Sequence, residues 1–528
     1  MEAESVSHGL EAILADIWKE YLRLDAVNSK DDFFELGGHS VLAVGMLERV
    51  RVKIGPQLEL PDLFRAPTLG AFTRKVHASL GDTEDSTKGE VDLGPLPLTS
   101  AQTRIWFMQQ MAPDAPSYHL IWAFKVLGAL VPAALDAAFT TLVQRHPVLR
   151  LSVADGEDGP MQFVKPAPKS VVSRAERAKD DSRPDAELER EAVSRALRPF
   201  DLNKELPLRV ELLKLGAREW RLLVTLHHIA GDGWSQQIMM REVETDYERA
   251  VRGLKIEPGQ EDRKFFEFAK AEKQWLTTPD SSESLMYWTD VLQEPLPRDP
   301  FDVAAKRQGT YETAGGVLVT DFGSEVLTSI RSLAQEEKTT PFVVLLAAFY
   351  AALNRVTRLR EFVIGTDIGG RGGGVGNDAL GLFVNQLALR EKVNDDEPFA
   401  NLLKRVREHC VAAFEHERVP FNVVVKAVRP QRVPGANPIF QVMFILQNVT
   451  PRAVKLFDVN VEALEIQSHH APFDLTVAYA MTMRGTLRLD LRFRSQLFHP
   501  AEIQTLSENM ESVLKAVVAK PTDHLLKD

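Results

Sequence analysis

The chain has 528 residues, which suggests three or four folding units at roughly 150 residues each. Lys and Arg number 63 and Asp and Glu number 74, so the formal charge is −11, and 44% of the residues are hydrophobic. This composition is typical of globular proteins and excludes broad disorder, while the acidic balance and the lack of a basic stripe argue against nucleic-acid binding.

Local features of the sequence narrow the class of protein further. No run of about 18 apolar residues is present, so we expect no membrane-spanning helix. The N-terminus is acidic and amphipathic, unlike a signal peptide. The chain has one cysteine, Cys410, which forbids an intrachain disulfide and a Cys-rich metal site. We therefore expect a protein of the reducing cytoplasm that holds no metal.

The first 80 residues predict a small all-α unit. Apolar residues recur at helical spacing between Leu10 and Leu22, and further helical stretches follow at 41–50 and 69–80. Residues 81–95 are rich in Gly, Ser and acidic residues, which is typical of a linker. The unit can fold alone but is too small to enclose a deep active site.

The remaining residues mix predicted strands and helices, which indicates two α/β lobes. We place the first lobe at 96–262 and the second at 263–528. Predicted strands cover 209–215, 221–228, 361–368, 439–446, 475–483 and 486–494, the last two as a hairpin. Predicted helices include 132–145 and 399–416, and the polar stretch 165–189 is expected to be a surface loop or an exposed helix.

Ser40 follows a Gly-Gly-His turn and begins a predicted helix. Ser is a favoured N-cap, so a purely structural role is one interpretation. A helix N-terminus also favours an anionic group, so a phosphate ester on Ser40 is the other. A nucleophile elbow is rejected because it needs Gly two residues after the Ser, where this chain has Leu42.

Residues 227–233 read His-His-Ile-Ala-Gly-Asp-Gly at the end of a predicted strand. Strand alternation sends His227 and His228 to opposite faces, so the two cannot chelate one metal. Histidine is suited to moving a proton near neutral pH. Asp232 lies where it could fix the turn through a buried ion pair, and Arg150 is the candidate cation.

A glycine-rich segment at 369–376 lacks the Lys and Ser/Thr of a phosphate-binding loop. We interpret it as a mobile loop.

Together these segments resemble the carrier and condensation domains of a nonribosomal peptide synthetase. The motif at 32–40 is similar to the peptidyl carrier signature, whose Ser carries 4′-phosphopantetheine. The motif at 227–233 fits the HHxxxDG signature of condensation domains. Further matches to condensation motifs, in chain order, are 98–107, 145–150, 265–275, 381–385 and 420–444.

The resemblance implies a four-helix carrier bundle followed by two chloramphenicol-acetyltransferase-like lobes with a tunnel between them. Ser40 would carry the covalent phosphopantetheine after modification by a phosphopantetheinyl transferase. His228 would lie in the tunnel as the proton acceptor, together with the other signature residues His227, Asp232 and Gly233. The Gly233 backbone amide could stabilise an oxyanion. The 369–376 segment resembles the loop that closes the tunnel floor.

The implied function is peptide bond formation between a thioester on this carrier and an aminoacyl amine on a downstream carrier. The implied partners are the neighbouring synthetase domains, including an adenylation domain and the next carrier, and the chain is expected to be a piece of a larger synthetase. The arrangement favours an L-configured donor.

Two alternatives remain open, and a third is rejected. An epimerisation domain shares the fold and signature, but its carriers tend to have Asp where His39 stands, and its signature lacks an immediate Trp234-Ser235. A noncatalytic docking domain would be expected to lack the second His or the Asp. A freestanding hydrolase lacks its nucleophile elbow.

Overall fold

The computed structural model describes most of the chain. The described residues are 2–22, 24, 26–34, 36, 43, 46, 47, 49, 50, 53, 54, 58, 62, 63, 66–79, 95–156, 159–177, 183–307, 314–371, 378–395, 397–447, 454–464, 470–482 and 485–519.

The N-terminal unit is helical. Helix α1 covers Glu2–Leu22 and helix α2 covers Leu69–Ser79, and the two pack against each other. Trp18 is fully buried between the rings of Phe33 and Phe72. The apolar stripe of α1 therefore forms the core of this unit, as its helical spacing predicts.

The first lobe is built on a five-stranded sheet with the order β12-β2-β7-β6-β5. A smaller three-stranded sheet, β1-β4-β3, accompanies it. The strands are β1 (Leu96–Pro97), β2 (His119–Gly128), β3 (Leu151–Gly156), β4 (Gly159–Val164), β5 (Val172–Glu176), β6 (Leu208–Gly216), β7 (Glu219–His227) and β12 (Val459–Leu464). The helices before and between these strands are α3 (Ser100–Met111), α4 (Pro132–Arg145), α5 (Asp185–Ala196) and α6 (Gly233–Val251).

The second lobe is built on a six-stranded sheet with the order β10-β9-β11-β13-β14-β8. Its strands are β8 (Gly315–Phe322), β9 (Glu361–Ile368), β10 (Asn385–Lys392), β11 (Val442–Gln447), β13 (Leu475–Met481) and β14 (Leu487–Arg494). The helices of this half are α7 (Lys264–Trp275), α8 (Pro279–Val291), α9 (Ser324–Glu336), α10 (Pro341–Thr357), α11 (Phe399–Glu415), α12 (Phe421–Val428) and α13 (Pro500–Ala519).

The fold class is confirmed as a helical carrier region before an α/β domain with two lobes. The chain crosses between the lobes, however, because β12 pairs with β2 of the first lobe. Phe265 and Phe266 also pack into the first lobe's core. A single division at residue 262 therefore does not describe the packing, and the domain boundaries stay a prediction.

Strand β5 corrects the expectation for residues 165–189. Val172–Glu176 pairs with β6 in parallel at the edge of the sheet, and α5 begins at Asp185. Within β5 only Val172 is buried, so the segment lacks the apolar alternation that would have marked it as a strand.

None of the described helices is long and apolar enough to cross a membrane by itself. Helices α9 and α10, which are bent by 103° relative to each other, pass that test only as a pair. Helix α10 is buried along most of its length in the second lobe's core.

Candidate active site

The signature residues 227–233 form a tight connection between a strand and a helix. Strand β7 ends at His227, a 3-10 turn covers His228–Ala230, and α6 begins at Gly233. The His228 amide donates to the Tyr118 carbonyl oxygen at 2.8 Å, which fixes the turn against the start of β2. A Cβ atom on Gly231 would lie 2.6 Å from Leu226 Cδ2, so only glycine fits this position without displacing its neighbour.

Asp232 organises the start of α6. Its side chain is 1% exposed and accepts hydrogen bonds from the backbone amide and the hydroxyl of Ser235, both at 2.9 Å. The Ser235 side chain bonds back to the Asp232 amide, which completes a capping box. The same carboxylate accepts a 3.3 Å hydrogen bond from the Phe383 amide, so it also connects the turn to a distant segment.

The cation that pairs with Asp232 is Arg371. Its guanidinium nitrogen Nη2 lies 2.7 Å from Asp232 Oδ1, and both side chains are buried. The guanidinium also donates to the Ala379 carbonyl at 2.6 Å and stacks over the Phe383 ring at 4.4 Å. Removing either charge would leave the other buried and unpaired, so this pair holds the chain at Arg371 against the signature turn.

The predicted pair between Arg150 and Asp232 is wrong. Arg150 is buried, but its Nη2 contacts Glu261 Oε1 at 2.5 Å, and its other nitrogens donate to the carbonyls of Val143 and Lys165. Arg150 thus closes the C-terminal end of α4, and it binds a carboxylate other than that of Asp232.

A central cavity of about 640 Å³ lies beside the signature turn. His228 lines it, together with Arg104 of α3 and Tyr118 from the first lobe, and Asp367 and Phe440 from the second. The size of this cavity and its walls from both lobes are typical of a binding site for small molecules.

The His228 imidazole is set up to be neutral. Burial lowers its pKa below the ordinary value, and the nearby carboxylates of Asp232 and Asp367 oppose this shift only in part. Its Nδ1 atom is buried and has no hydrogen-bond partner among the described residues. A neutral imidazole can accept a proton, which is the role predicted for this residue.

His227 does not line the central cavity, in agreement with the expectation that the two histidines face different sides. Its side chain is 1% exposed and packs between the rings of His119 and Phe200, at centroid distances of 6.0 and 5.5 Å. Its Nδ1 accepts a hydrogen bond from the Ile229 amide at 3.2 Å. This position contradicts a direct catalytic role for His227, because the residue shapes the turn from within the core.

Gly233 is the first residue of α6 and is exposed. It is not among the residues that line the central cavity. A Cβ atom there would have open space around it, so neither conformation nor packing requires glycine. The suggested oxyanion contact from its amide stays a prediction.

A second, smaller cavity of about 70 Å³ adjoins the central one. Leu382 and Val384 line both, so they lie between the two spaces. Glu272 and Arg418 are among the residues around the smaller cavity. The 382–384 segment therefore lies between the central cavity and the smaller one.

Three predicted features lie wholly or largely outside the described residues. These are Ser40 with its preceding Gly-Gly-His turn, positions 81–94 of the linker, and positions 372–376 of the glycine-rich segment. Ser40 stays the predicted attachment point on the strength of its motif. In the part of the chain that the structure describes, no three or more His, Cys, Asp or Glu side chains cluster to hold a metal ion.

Comparison with protein families gives two matches in chain order. Residues 12–76 match the phosphopantetheine attachment site family, and residues 93–527 match the condensation domain family. The first match includes position 40, and the second includes the signature turn and both lobes. Together they imply a covalently attached 4′-phosphopantetheine in the N-terminal unit.

Curated relatives are parts of large synthetases. The chain is 33% identical to one of the linear gramicidin synthase proteins of Brevibacillus parabrevis, covering 97% of this chain and 10% of that protein. It is 28% identical to tyrocidine synthase 3 of the same organism, covering 98% of this chain and 8% of the relative. The chain therefore spans a tenth or less of these two relatives.

Solved structures share the fold. The X-domain from teicoplanin biosynthesis superposes with a TM-score of 0.73 at 20% identity, covering 84% of this chain and 98% of that chain. The first condensation domain of the calcium-dependent antibiotic synthetase gives a TM-score of 0.67 at 21% identity, covering 82% and 98%. The chain belongs to the condensation domain family of nonribosomal peptide synthetases and carries a phosphopantetheine carrier region ahead of that domain.

Proposed function

We propose that this chain forms peptide bonds between a thioester held on its own carrier and the amine of an aminoacyl group on a downstream carrier. The observation that carries the proposal is the position of His228, a neutral imidazole that lines a cavity walled by both lobes. The bound pantetheine arm supplies an acyl group that is already activated as a thioester.

In this reaction His228 accepts a proton from the attacking amine. A positioned base typically contributes about 10²–10⁴-fold to a rate. Holding both substrates in attack geometry contributes up to about 7–11 kcal/mol, so the walls of the cavity matter at least as much as the base. Asp232 and Arg371 keep the turn that presents His228 in place.

The partners follow from this reaction. A phosphopantetheinyl transferase would modify Ser40, an adenylation domain would load the carriers, and the next carrier would present the acceptor. We propose a cytoplasmic location, which suits the single buried thiol of Cys410.

The retention of both His228 and Asp232 disfavours a noncatalytic docking role. His39 in the carrier motif and Trp234 after the signature disfavour an epimerisation domain.

The test loads Ser40 with a panel of L-aminoacyl pantetheine arms and supplies alanyl-pantetheine as a soluble acceptor. We expect dipeptidyl-pantetheine in solution, detected by mass spectrometry, and neither loading nor product with Ser40→Ala. Inversion of the donor without elongation would contradict the proposal in favour of epimerisation. Hydrolysis of the donor as the sole outcome would contradict it as well.

A further inference from the structure

A second acidic group shares the central cavity with His228. Asp367 is near the end of β9, and its side chain is exposed to the cavity that it lines. It is close enough to His228 for each charge to shift the pKa of the other group. The transfer of a proton from the amine to His228 does not involve this carboxylate.

One of its two oxygens is held in place by a neighbouring strand. Gln386 faces Asp367 across the β9–β10 pairing, and its amide Nε2 donates to Asp367 Oδ1 at 3.2 Å. Among the described residues, none forms a hydrogen bond with the other oxygen, Oδ2. The carboxylate is thus oriented by the protein and has one acceptor oxygen available to a substrate.

The charges around the carboxylate favour its ionised form without neutralising it by contact. Arg104 on α3 attracts Asp367, and no ion pair within 4.0 Å joins the two. Besides Arg104 and Asp367, the charged side chains that line the cavity are Lys426, Arg432 and Arg492. The volume of about 640 Å³ leaves room in this cavity for a polar group of a ligand.

The chemistry of the reaction needs two proton acceptors. An α-amino group has a pKa of about 7.7–8.0, so the acceptor substrate arrives mainly as an ammonium ion at neutral pH. Formation of an amide from an ammonium ion releases two protons from the nitrogen, and one imidazole accepts one of them at a time.

Building on the proposed function, we propose that Asp367 binds the α-ammonium group of the incoming aminoacyl substrate and takes its first proton. The proton moves from nitrogen to the carboxylate, and the N–H electron pair stays on nitrogen as the nucleophile. The amine then forms the N–C bond and gives its second proton to His228. The C–S bond breaks, the sulfur leaves as a thiol with the proton from His228, and Asp367 returns its proton to solvent.

The cavity walls support this assignment because they withdraw the Asp367 carboxyl from bulk solvent and so raise its pKa, while Arg104, Gln386 and His228 oppose that rise. A raised pKa makes the carboxylate a better proton acceptor. The raised pKa of Asp367 and the hydrogen bond that orients its carboxylate therefore both support its role as a proton acceptor.

The first test measures binding, independently of turnover. Calorimetry at pH 6.5 would use two pantetheine amide analogues, one carrying an alanyl group and one carrying a propionyl group that lacks the amine. We expect Asp367→Asn to weaken binding of the alanyl analogue about tenfold, the usual scale for a lost charge-assisted contact, and to leave the propionyl analogue unchanged. Equal effects on both analogues would overturn the proposal.

The second test measures the pH profile of dipeptide formation. At pH 7 we expect Asp367→Asn to lower kcat/KM about tenfold or more, and at pH 9, where the amine is already neutral, to approach the wild-type rate. Asp321→Asn, which removes an exposed charge from the edge strand β8, is the matched control. A loss that is the same at every pH would indicate a structural role and overturn the proposal. The proposal would also be overturned by a loss seen with lysyl-pantetheine as acceptor but not with alanyl-pantetheine, because both acceptors carry the α-ammonium group.

The two hypotheses fail in distinguishable ways. If the wild-type chain makes no dipeptide, the proposed function fails. If the wild type is active and Asp367→Asn matches Asp321→Asn in both tests, the role of Asp367 alone fails.

Discussion

The two sides of the β7 terminus place neighbouring histidines in opposite environments. On the core side, His227 is enclosed by the rings of His119 and Phe200. On the other side, His228 lines a cavity that also has Arg104 and Asp367 on its walls. Burial lowers the pKa of both imidazoles, so withdrawal from solvent does not distinguish them.

The difference lies in what each ring can reach. A histidine packed among aromatic rings has no space for a substrate, whereas one that lines a cavity can exchange a proton with a bound group. One peptide bond separates the two roles because β7 ends at His227 and the 3-10 turn begins at His228. The identity of the residue therefore says less about function than the surroundings that its ring faces.

The largest expected loss of stability follows from removing the carboxylate that holds the turn between the two environments. Asp232→Ala leaves Arg371 buried and unpaired, so we expect the free energy of unfolding to fall by about 3–5 kcal/mol. Urea denaturation followed by circular dichroism measures this change.

A double-mutant cycle tests which arginine is the partner. In the background of Arg371→Met, Asp232→Ala should lower the free energy of unfolding clearly less than it does in the wild type. In the background of Arg150→Met, it should lower that free energy by the full amount. The reverse pattern would restore the pair with Arg150 and contradict the geometry of this site.

His227→Ala tests the core side of the comparison. Loss of a buried ring leaves a cavity, so we expect a cost of roughly 2–4 kcal/mol in the free energy of unfolding. The rate of dipeptide formation per folded molecule should change by no more than a few-fold. A loss of rate above 100-fold with unchanged stability would show that His227 acts in the reaction.

His119, which packs beside His227, gives the core side a pH dependence. Burial lowers the pKa of His119 to about 4. Between pH 6.5 and 4 the unfolded chain therefore binds a proton that the folded chain does not, and stability falls as the pH falls. Between pH 7 and pH 5, the free energy of unfolding measured by urea denaturation should fall by about 2 kcal/mol less for His119→Phe than for the wild type. Equal losses in the two proteins would contradict the buried, neutral state of His119.

The sequence predicts the local structure well where periodicity is strong. The expected bounds agree with β9 and α4, and the rings of His227 and His228 do lie in different surroundings, although His228 is in the 3-10 turn and not in the predicted strand. These features depend on neighbours along the chain, which spacing reveals directly.

Long-range pairing was not predictable in the same way. Asp232 and Arg371 are 139 positions apart, and nothing in their spacing favours Arg371 over Arg150. The signal that existed was a single arginine among glycines at the end of a predicted strand. Asp367 belongs to no motif that the sequence analysis found. Its role could not be predicted, because it depends on the cavity that β9 and α3 line together.

The most direct test of the account is the single-turnover rate of dipeptide formation by His228→Ala. The donor is preloaded on Ser40, alanyl-pantetheine is supplied at saturation, and urea denaturation verifies the fold. We predict a rate lower by about 10²–10⁴-fold with an unchanged unfolding midpoint. A folded variant that forms the dipeptide at close to the wild-type rate would contradict the assignment of His228 as the proton acceptor.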